Sequence, residues 1–173
     1  METITLNIYK FSELSGKAQT YVLDKYRDVM IDYQWWDFIY EDAQRLGLEI
    51  SAFDIYYKTI SIEYTDDAED TANKIVSEWG QGTDMYLLAS TFLEEYTKLV
   101  TADEQDDDDI KYIQDEFLRQ LGEEFLSMLD KEYEWRTSDE AITEYLEDNQ
   151  YMFTKNGTQI RSEEHTSELQ SHS

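Results

Sequence analysis

The chain has 173 residues and a formal net charge of −26, because 40 Asp and Glu face only 14 Lys and Arg. It contains no Cys, and its two histidines, His165 and His172, lie near the end, so disulfides, thiolate or imidazole metal sites and Cys or His catalysis are excluded from the first 160 residues. No apolar run approaches the roughly 18 residues of a membrane span, and no basic-then-apolar signal segment follows Met1, whereas 14 Tyr, 7 Phe and 4 Trp supply material for a core. We therefore expect a soluble, cytoplasmic protein.

The N-terminal part predicts strands and helices in alternation. Apolar and polar side chains alternate over residues 2–11, as in a half-buried strand, and Ser15 is suited to cap the helix that follows. A second helix ends near Gly47, which favours the left-handed backbone found after helices. Residues 48–66 then read as two strands.

Three helical stretches come next. Asp66 or Asp67 can cap the first, and Thr83 can begin the second. The third and longest follows the acidic sequence DEQDDDD, and its apolar stripe covers residues 110–128. Gly122 lies inside this stripe, where glycine costs up to about 1 kcal/mol relative to Ala, and it predicts a bend.

The C-terminal part predicts one more helix and a hairpin. Thr137 or Ser138 begins the helix, and Asn156-Gly157 between two short β-like runs is a strong hairpin signal. We therefore predict a single α+β domain over residues 1–160, with a small, mainly antiparallel sheet packed with five to six helices and a C-terminal β-hairpin.

The last residues, RSEEHTSELQSHS, have the composition of a disordered tail. Residues 161–171 also resemble the conceptual translation of an adapter ligated to fragments in short-read sequencing libraries. We therefore interpret residues 161–173 as a non-native tail and expect that the native chain was interrupted after Ile160. Without this tail the chain has 37 acidic and 13 basic residues, a formal charge of −24.

The densest acidic run provides candidate partner-binding residues: Asp103, Glu104, Asp106, Asp107, Asp108 and Asp109. A calcium-binding EF-hand loop that began at Asp103 would need Gly at position 6 and Glu at position 12, where this chain has Asp108 and Gln114. We therefore expect no metal site and no cofactor, with loose divalent-ion binding as the alternative. The run either serves as a solvated helix start or mimics a phosphate backbone and contacts a basic protein.

A catalytic function would have to rest on carboxylates alone. Asp54 and Glu63 on the predicted strand pair faintly resemble a nuclease core, but Tyr64-Thr65 stands where such cores usually carry X-Lys. The net charge also repels a polyanionic substrate. We predict that the protein is not an enzyme, and a carboxylate-based, metal-dependent hydrolase is the alternative.

An aromatic cluster in residues 33–40 offers a second kind of contact. On a helix, Trp36 and Tyr40 share a face while Trp35 points elsewhere. Because Trp is frequent among the residues that dominate protein interfaces, Trp35 is a candidate partner contact if its side chain is exposed.

Much of the chain resembles a family of small, mostly uncharacterised proteins of bacteriophages and prophages, particularly from gut bacteria. The resemblance rests on IYKFSELSGKAQTYVLDKYRD, WWDFIYEDAQRLGLEISAFDI, TANKIVSEWG with TDMYLLASTFLEEY, and EWRTSDEAITEYLEDNQYMFTKNG. Some members of such families are labelled as antitoxin-related, and the resemblance brings no catalytic residues. Residues 56–58 depart from the family, in which a more glycine-rich and basic turn is expected.

These observations lead to one functional expectation. We expect a phage-borne, non-enzymatic acidic protein, antitoxin-like or host-inhibitor-like, whose acidic helical face binds a basic protein, including one that itself binds nucleic acid. The charge disfavours direct binding of nucleic acid or an anionic membrane. A structural or accessory phage protein is a further alternative.

Overall fold

The computed structural model describes residues 5–160, which form six α-helices and five short strands in two small antiparallel sheets. The predicted α+β class is thus confirmed. The described residues divide into two compact units: unit 1 comprises residues 5–35 and 133–160, and unit 2 comprises residues 36–132. Ile4 of the predicted first strand and the tail, residues 161–173 with His165 and His172, lie outside the described residues. The expectation of a single domain over residues 1–160 stays a prediction.

The elements follow one another in chain order. They are β1 (Tyr9–Lys10), a short 3-10 helix (Phe11–Glu13), α1 (Gly16–Lys25), α2 (Asp37–Arg45), β2 (Leu48–Asp54), β3 (Thr59–Tyr64), α3 (Ala68–Glu78), α4 (Asp84–Val100), α5 (Asp107–Arg136), α6 (Asp139–Asp148), β4 (Met152–Phe153) and β5 (Gln159–Ile160). Within residues 5–160, no helix combines the length and the apolar character required to cross a membrane.

Unit 1 consists of a three-stranded sheet and two helices. The strand order is β1-β4-β5, and Tyr9 in β1 lies opposite Phe153 in β4. Helices α1 and α6 contribute most of the apolar core of this unit. Its buried members are Phe11, Leu14, Ala18, Val22, Ile142, Leu146 and Phe153.

Local sequence signals in unit 1 are confirmed. The Oγ atom of Ser15 accepts a 3.2 Å hydrogen bond from the Ala18 amide, and Ser138, rather than Thr137, caps α6 by accepting one of 3.1 Å from the Ala141 amide. Each side chain satisfies a helix-start N–H that has no partner inside its own helix. Gly157 has a φ of +90° in the turn of the predicted hairpin between β4 and β5.

The first strand is shorter than predicted. Only Tyr9 and Lys10 are paired, and Leu6 is 61% exposed. The partner strand β4 is itself only two residues long, so the backbone of residues 5–8 has no strand edge with which to pair. An alternating pattern indicates that a segment fits a sheet, but a strand forms only where a partner strand extends alongside it.

Unit 2 contains the β2–β3 hairpin and helices α2 to α4, together with α5 up to residue 132. The hairpin runs from Leu48 opposite Tyr64 to Asp54 opposite Thr59, with an irregularity between Ile50 and Ala52. Gly47, as predicted, has a left-handed backbone with a φ of +81°. No larger residue fits there, since a Cβ atom would lie 2.6 Å from the carboxylate of Asp66.

Gly122 does not interrupt α5, and the expected bend at this residue stays a prediction. Helix α5 continues through it from Asp107 to Arg136. Gly122 is buried, and a Cβ atom at this position would lie 3.2 Å from the Cγ2 atoms of both Ile60 and Ile62 in β3. The absence of a side chain therefore allows the helix backbone to approach the hairpin closely.

Candidate protein-binding surface

The acidic segment, residues 103–109, connects α4 to α5, and all seven of its residues are exposed. Asp106 caps α5: its Oδ1 atom accepts hydrogen bonds from the amides of Asp108, at 3.0 Å, and Asp109, at 3.3 Å. Asp107, Asp108 and Asp109 form the first turn of the helix, where negative charge is favourable. One of the six carboxylates thus has a defined structural role, and the other five belong to exposed residues in or just before the first turn of a long helix.

The charge of the acidic segment is not neutralised by neighbouring cations. Among residues 5–160, none of its six carboxylates takes part in a salt bridge. Further along α5, Arg119 pairs with Glu116 and Glu123, both at 2.5 Å, and the hydrogen bond from Arg119 holds the pKa of Glu116 below its usual value. Salt bridges on α5 therefore begin with the Lys111–Asp115 pair, whereas the carboxylates of its first turn, Asp107 to Asp109, form none within residues 5–160.

An apolar groove adjoins the acidic segment on unit 2. We call it the α4/α5 groove; its cavity of about 310 Å³ is lined by Glu95, Lys98, Leu99, Asp109, Tyr112 and Ile113. A second cavity of about 210 Å³ shares Glu95, Tyr112 and Ile113 and extends the groove towards Leu88 and Gln120. Asp109 belongs both to the groove and to the acidic segment, so the apolar and anionic surfaces are continuous.

The base of the groove is a stack of aromatic rings. Phe92 of α4 and Phe117 of α5 lie face to face, with ring centroids 4.5 Å apart and an angle of 9° between planes, and both are buried. The ring of Tyr96 also stacks on that of Phe92, with centroids 5.5 Å apart. Tyr112, in contrast, is 67% exposed at the groove edge. A packed base with an exposed aromatic edge is a suitable arrangement for receiving an apolar side chain of a partner.

The negative charge is concentrated in the unit that carries this groove. Residues 36–132 contain 26 acidic and 7 basic side chains, a formal charge of −19. The described residues of unit 1 contain 10 acidic and 6 basic side chains, a formal charge of −4. The difference in formal charge is much larger than the difference in the number of residues between the two units. The negative electrostatic potential of the protein therefore arises mainly from unit 2.

Trp35 does not meet the condition for a partner contact. Its side chain is only 5% exposed, and its ring lies 6.0 Å from that of Tyr133 inside unit 1. The candidate assignment of Trp35 is therefore corrected: it packs in the core. Trp36 and Tyr40 share a face, as predicted, and both rings contact Phe53.

The two carboxylates considered for catalysis lie at opposite ends of the hairpin. Asp54 is opposite Thr59, and its Oδ1 atom accepts a 3.0 Å hydrogen bond from the Tyr57 amide, which stabilises the turn. Glu63 is opposite Glu49, four positions further along β3, which corresponds to about 13 Å of strand. The two groups therefore do not converge. Among residues 5–160, no three Asp or Glu side chains are arranged to hold a metal ion.

Sequence reasoning missed two sets of exposed aromatic residues. Tyr56 and Tyr57, at the tip of the β2–β3 hairpin, are 84% and 73% exposed and contact each other edge to face at 4.9 Å. Trp135, near the end of α5, is 40% exposed. The only signal in the sequence at the hairpin tip is the loss of alternation after Asp54. This pattern predicts a turn, but it does not reveal whether an aromatic side chain in the turn is exposed or packs on the core.

Comparison with known proteins adds no relative: no family model, no curated protein and no solved structure matches the chain.

Proposed function

We propose that this protein is a non-enzymatic binding protein whose acidic segment and α4/α5 groove together engage a basic protein partner. The observation that carries this proposal is the continuity between an apolar groove edged by Tyr112 and six carboxylates that form no salt bridge with any other described residue. A surface that served only solubility would need the charges alone. The groove adds an area whose burial would contribute to affinity.

The chemistry of the surface defines the partner. Carboxylates at the mouth of the groove favour Lys and Arg, and they raise the association rate with a basic protein in a manner that weakens as salt rises. The groove between two helices suits a partner segment with apolar side chains along one face, a common mode of peptide recognition. The partner segment is therefore a basic amphipathic one. The resemblance to phage and prophage proteins favours a toxin or a host protein as its source.

The experiment compares recovery of proteins from a bacterial host lysate by the unaltered chain and by two variants. In the first variant, Asp103→Asn, Glu104→Gln, Asp107→Asn and Asp108→Asn remove four charges while Asp106 keeps its capping role. In the second, Tyr112→Ala truncates the edge of the groove. We expect the unaltered chain to recover a basic protein, and we expect the recovered amount of that protein to fall by about tenfold or more with each variant. Quantitative mass spectrometry measures the recovered amounts.

Matched controls separate this surface from general charge and from apolar exposure. Glu134→Gln, Glu144→Gln, Glu147→Gln and Asp148→Asn remove the same number of exposed charges from residues assigned to unit 1, and Leu87→Ala truncates a side chain on α4 that is 62% exposed outside the groove. Both controls should retain the partner. Equal recovery by the acidic-segment variant and by its control, or recovery of no basic protein by the unaltered chain, would contradict the proposal.

A further inference from the structure

A separate cavity, in unit 1, has no role in the proposed function. It lies between α1, the segment before it and the turn that joins β4 to β5, and its volume is about 490 Å³. Small-molecule sites in proteins commonly occupy roughly 300–1,000 Å³. All of its lining residues belong to unit 1, so the cavity is a property of that unit alone.

The wall of this cavity combines apolar packing with a closely held turn. Leu14 and Ala18 line it and are buried, and Tyr9 and Tyr21 line it beside them. The turn packs directly on α1, since a Cβ atom at Gly157 would lie 2.9 Å from a methyl group of Val22. The position of the turn relative to the helix is therefore determined by close contact.

Backbone hydrogen bonds hold the shape of that turn. The Thr154 amide donates to the Thr158 carbonyl at 2.8 Å, and the Gly157 amide donates to the Thr154 carbonyl at 2.9 Å. Lys155 and Asn156 lie inside this bonded loop and line the cavity. Their backbone is thus held against α1 before any ligand binds, which lowers the ordering cost of binding.

Two lysines from different elements are among the residues that line the cavity: Lys17 from α1 and Lys155 from the turn. Within residues 5–160, neither makes a salt bridge, whereas Arg27, Lys74 and Arg119 all do. Glu13 also lines the cavity, and its Oε1 atom accepts a 2.8 Å hydrogen bond from the Lys10 amide. The lining therefore has a net charge of +1 in a chain whose total formal charge is −26.

We propose that this cavity binds a small organic anion that joins one carboxylate or phosphate group to an apolar body. The anionic group pairs with Lys17 and Lys155, and the apolar body contacts the wall formed by Leu14, Ala18 and the two tyrosines. A bare inorganic anion would leave that wall uncovered, and a neutral apolar molecule would leave both ammonium groups unpaired. The combination of the two surfaces defines the ligand class.

The test uses the full chain and measures chemical shifts of backbone amides by NMR during titration with phenylacetate and with phenyl phosphate. We expect saturable shifts of residues 15–21 and 154–157 with at least one of these anions, and the stronger binder identifies the preferred anionic group. Benzyl alcohol lacks the anionic group, and acetate and inorganic phosphate lack the apolar body. Each of the three should bind at least about tenfold more weakly than the better phenyl anion.

Charge variants connect the binding to the two lysines. Lys17→Gln combined with Lys155→Gln should weaken binding of the better anion by about tenfold, and both positions are exposed, so folding should persist. Lys58→Gln combined with Lys131→Gln changes the net charge equally outside the cavity and should leave the affinity unchanged. The absence of saturable shifts at the cavity with both phenyl anions, or equal affinity in the two double variants, would overturn the proposal. Because this cavity and the α4/α5 groove share no residue, the outcome is independent of the proposed function.

Discussion

The hydroxyl of Tyr64 in β3 donates a 2.6 Å hydrogen bond to the backbone carbonyl of Gln114 in α5. This bond joins the hairpin to the long helix inside unit 2, two residues after Tyr112 at the edge of the groove. Burial, together with the nearby charge of Asp115, raises the pKa of Tyr64 well above its ordinary value. The contact between β3 and α5 therefore includes a phenol whose neutral form is favoured in the folded state.

Tyr64→Phe should lower the free energy of unfolding by about 1 kcal/mol at neutral pH, because the hydrogen bond is lost while the ring stays in place. The folded-state pKa of this tyrosine is raised, so its stabilising contribution is complete below pH about 10 and is lost as the pH rises towards the folded-state value. The variant should consequently lose less stability than the unaltered chain above pH about 10. Urea unfolding across this range measures both effects, and Tyr57→Phe, at a side chain that is 73% exposed, is the control. Identical alkaline profiles for the unaltered chain and Tyr64→Phe would contradict the assignment.

Gly122→Val should destabilise the protein by about 1–3 kcal/mol, because the new side chain would be forced against Ile60 and Ile62 in a packed interior. Ser127→Val introduces the same side chain at an exposed position of the same helix and should change stability by about 0.5 kcal/mol or less. Denaturant midpoints measure the difference. Comparable stabilities for the two variants would show that Gly122 has room for a side chain.

Substitutions in the acidic segment should distinguish the carboxylate that caps α5 from those that do not contribute to stability. Asp106→Ala removes the cap of α5 and should cost about 1 kcal/mol, whereas Asp106→Asn keeps an acceptor and should cost much less. Asp103→Ala, outside the helix, should be nearly neutral for stability. Thermal unfolding monitored by circular dichroism measures all three, and a destabilisation by Asp103→Ala as large as that by Asp106→Ala would contradict the capping geometry.

Trp35→Ala should lower stability by about 3–5 kcal/mol, because it empties space in the core of unit 1. Trp135→Ala, at a side chain that is 40% exposed, should cost much less. The comparison is made by chemical denaturation monitored by far-UV circular dichroism, which does not depend on the tryptophan signal. A small effect at Trp35 would restore it as a surface candidate.

Salt should change the association rate of the partner, whereas the α4/α5 groove should determine its dissociation rate. Raising NaCl from about 50 to about 300 mM should slow association, because surface charges are screened over shorter distances. Tyr112→Ala should act mainly on dissociation, since it removes a packed contact and no charge. Surface plasmon resonance with the recovered basic protein resolves the two rates. An association rate that does not change with salt would show that the acidic segment does not contribute to association with the partner.

The sequence by itself determined the features that depend on neighbours along the chain. The caps by Ser15, Thr83 and Ser138, the left-handed Gly47 and the Asn156-Gly157 hairpin follow from local backbone chemistry. The α+β class follows from the order of such elements. Composition also determined that any partner of the acidic surface must tolerate a strongly negative protein.

Only the tertiary structure decided which residues from distant parts of the chain meet. The groove exists because Leu99 and Tyr112 line a common cavity although they belong to different helices, and Trp35 is buried because Tyr133, about a hundred residues later, lies beside it. Gly122 is explained by β3 rather than by its own helix. Periodicity along one helix describes which side chains share a face, but it contains no information about the second surface that covers that face or leaves it open to a partner.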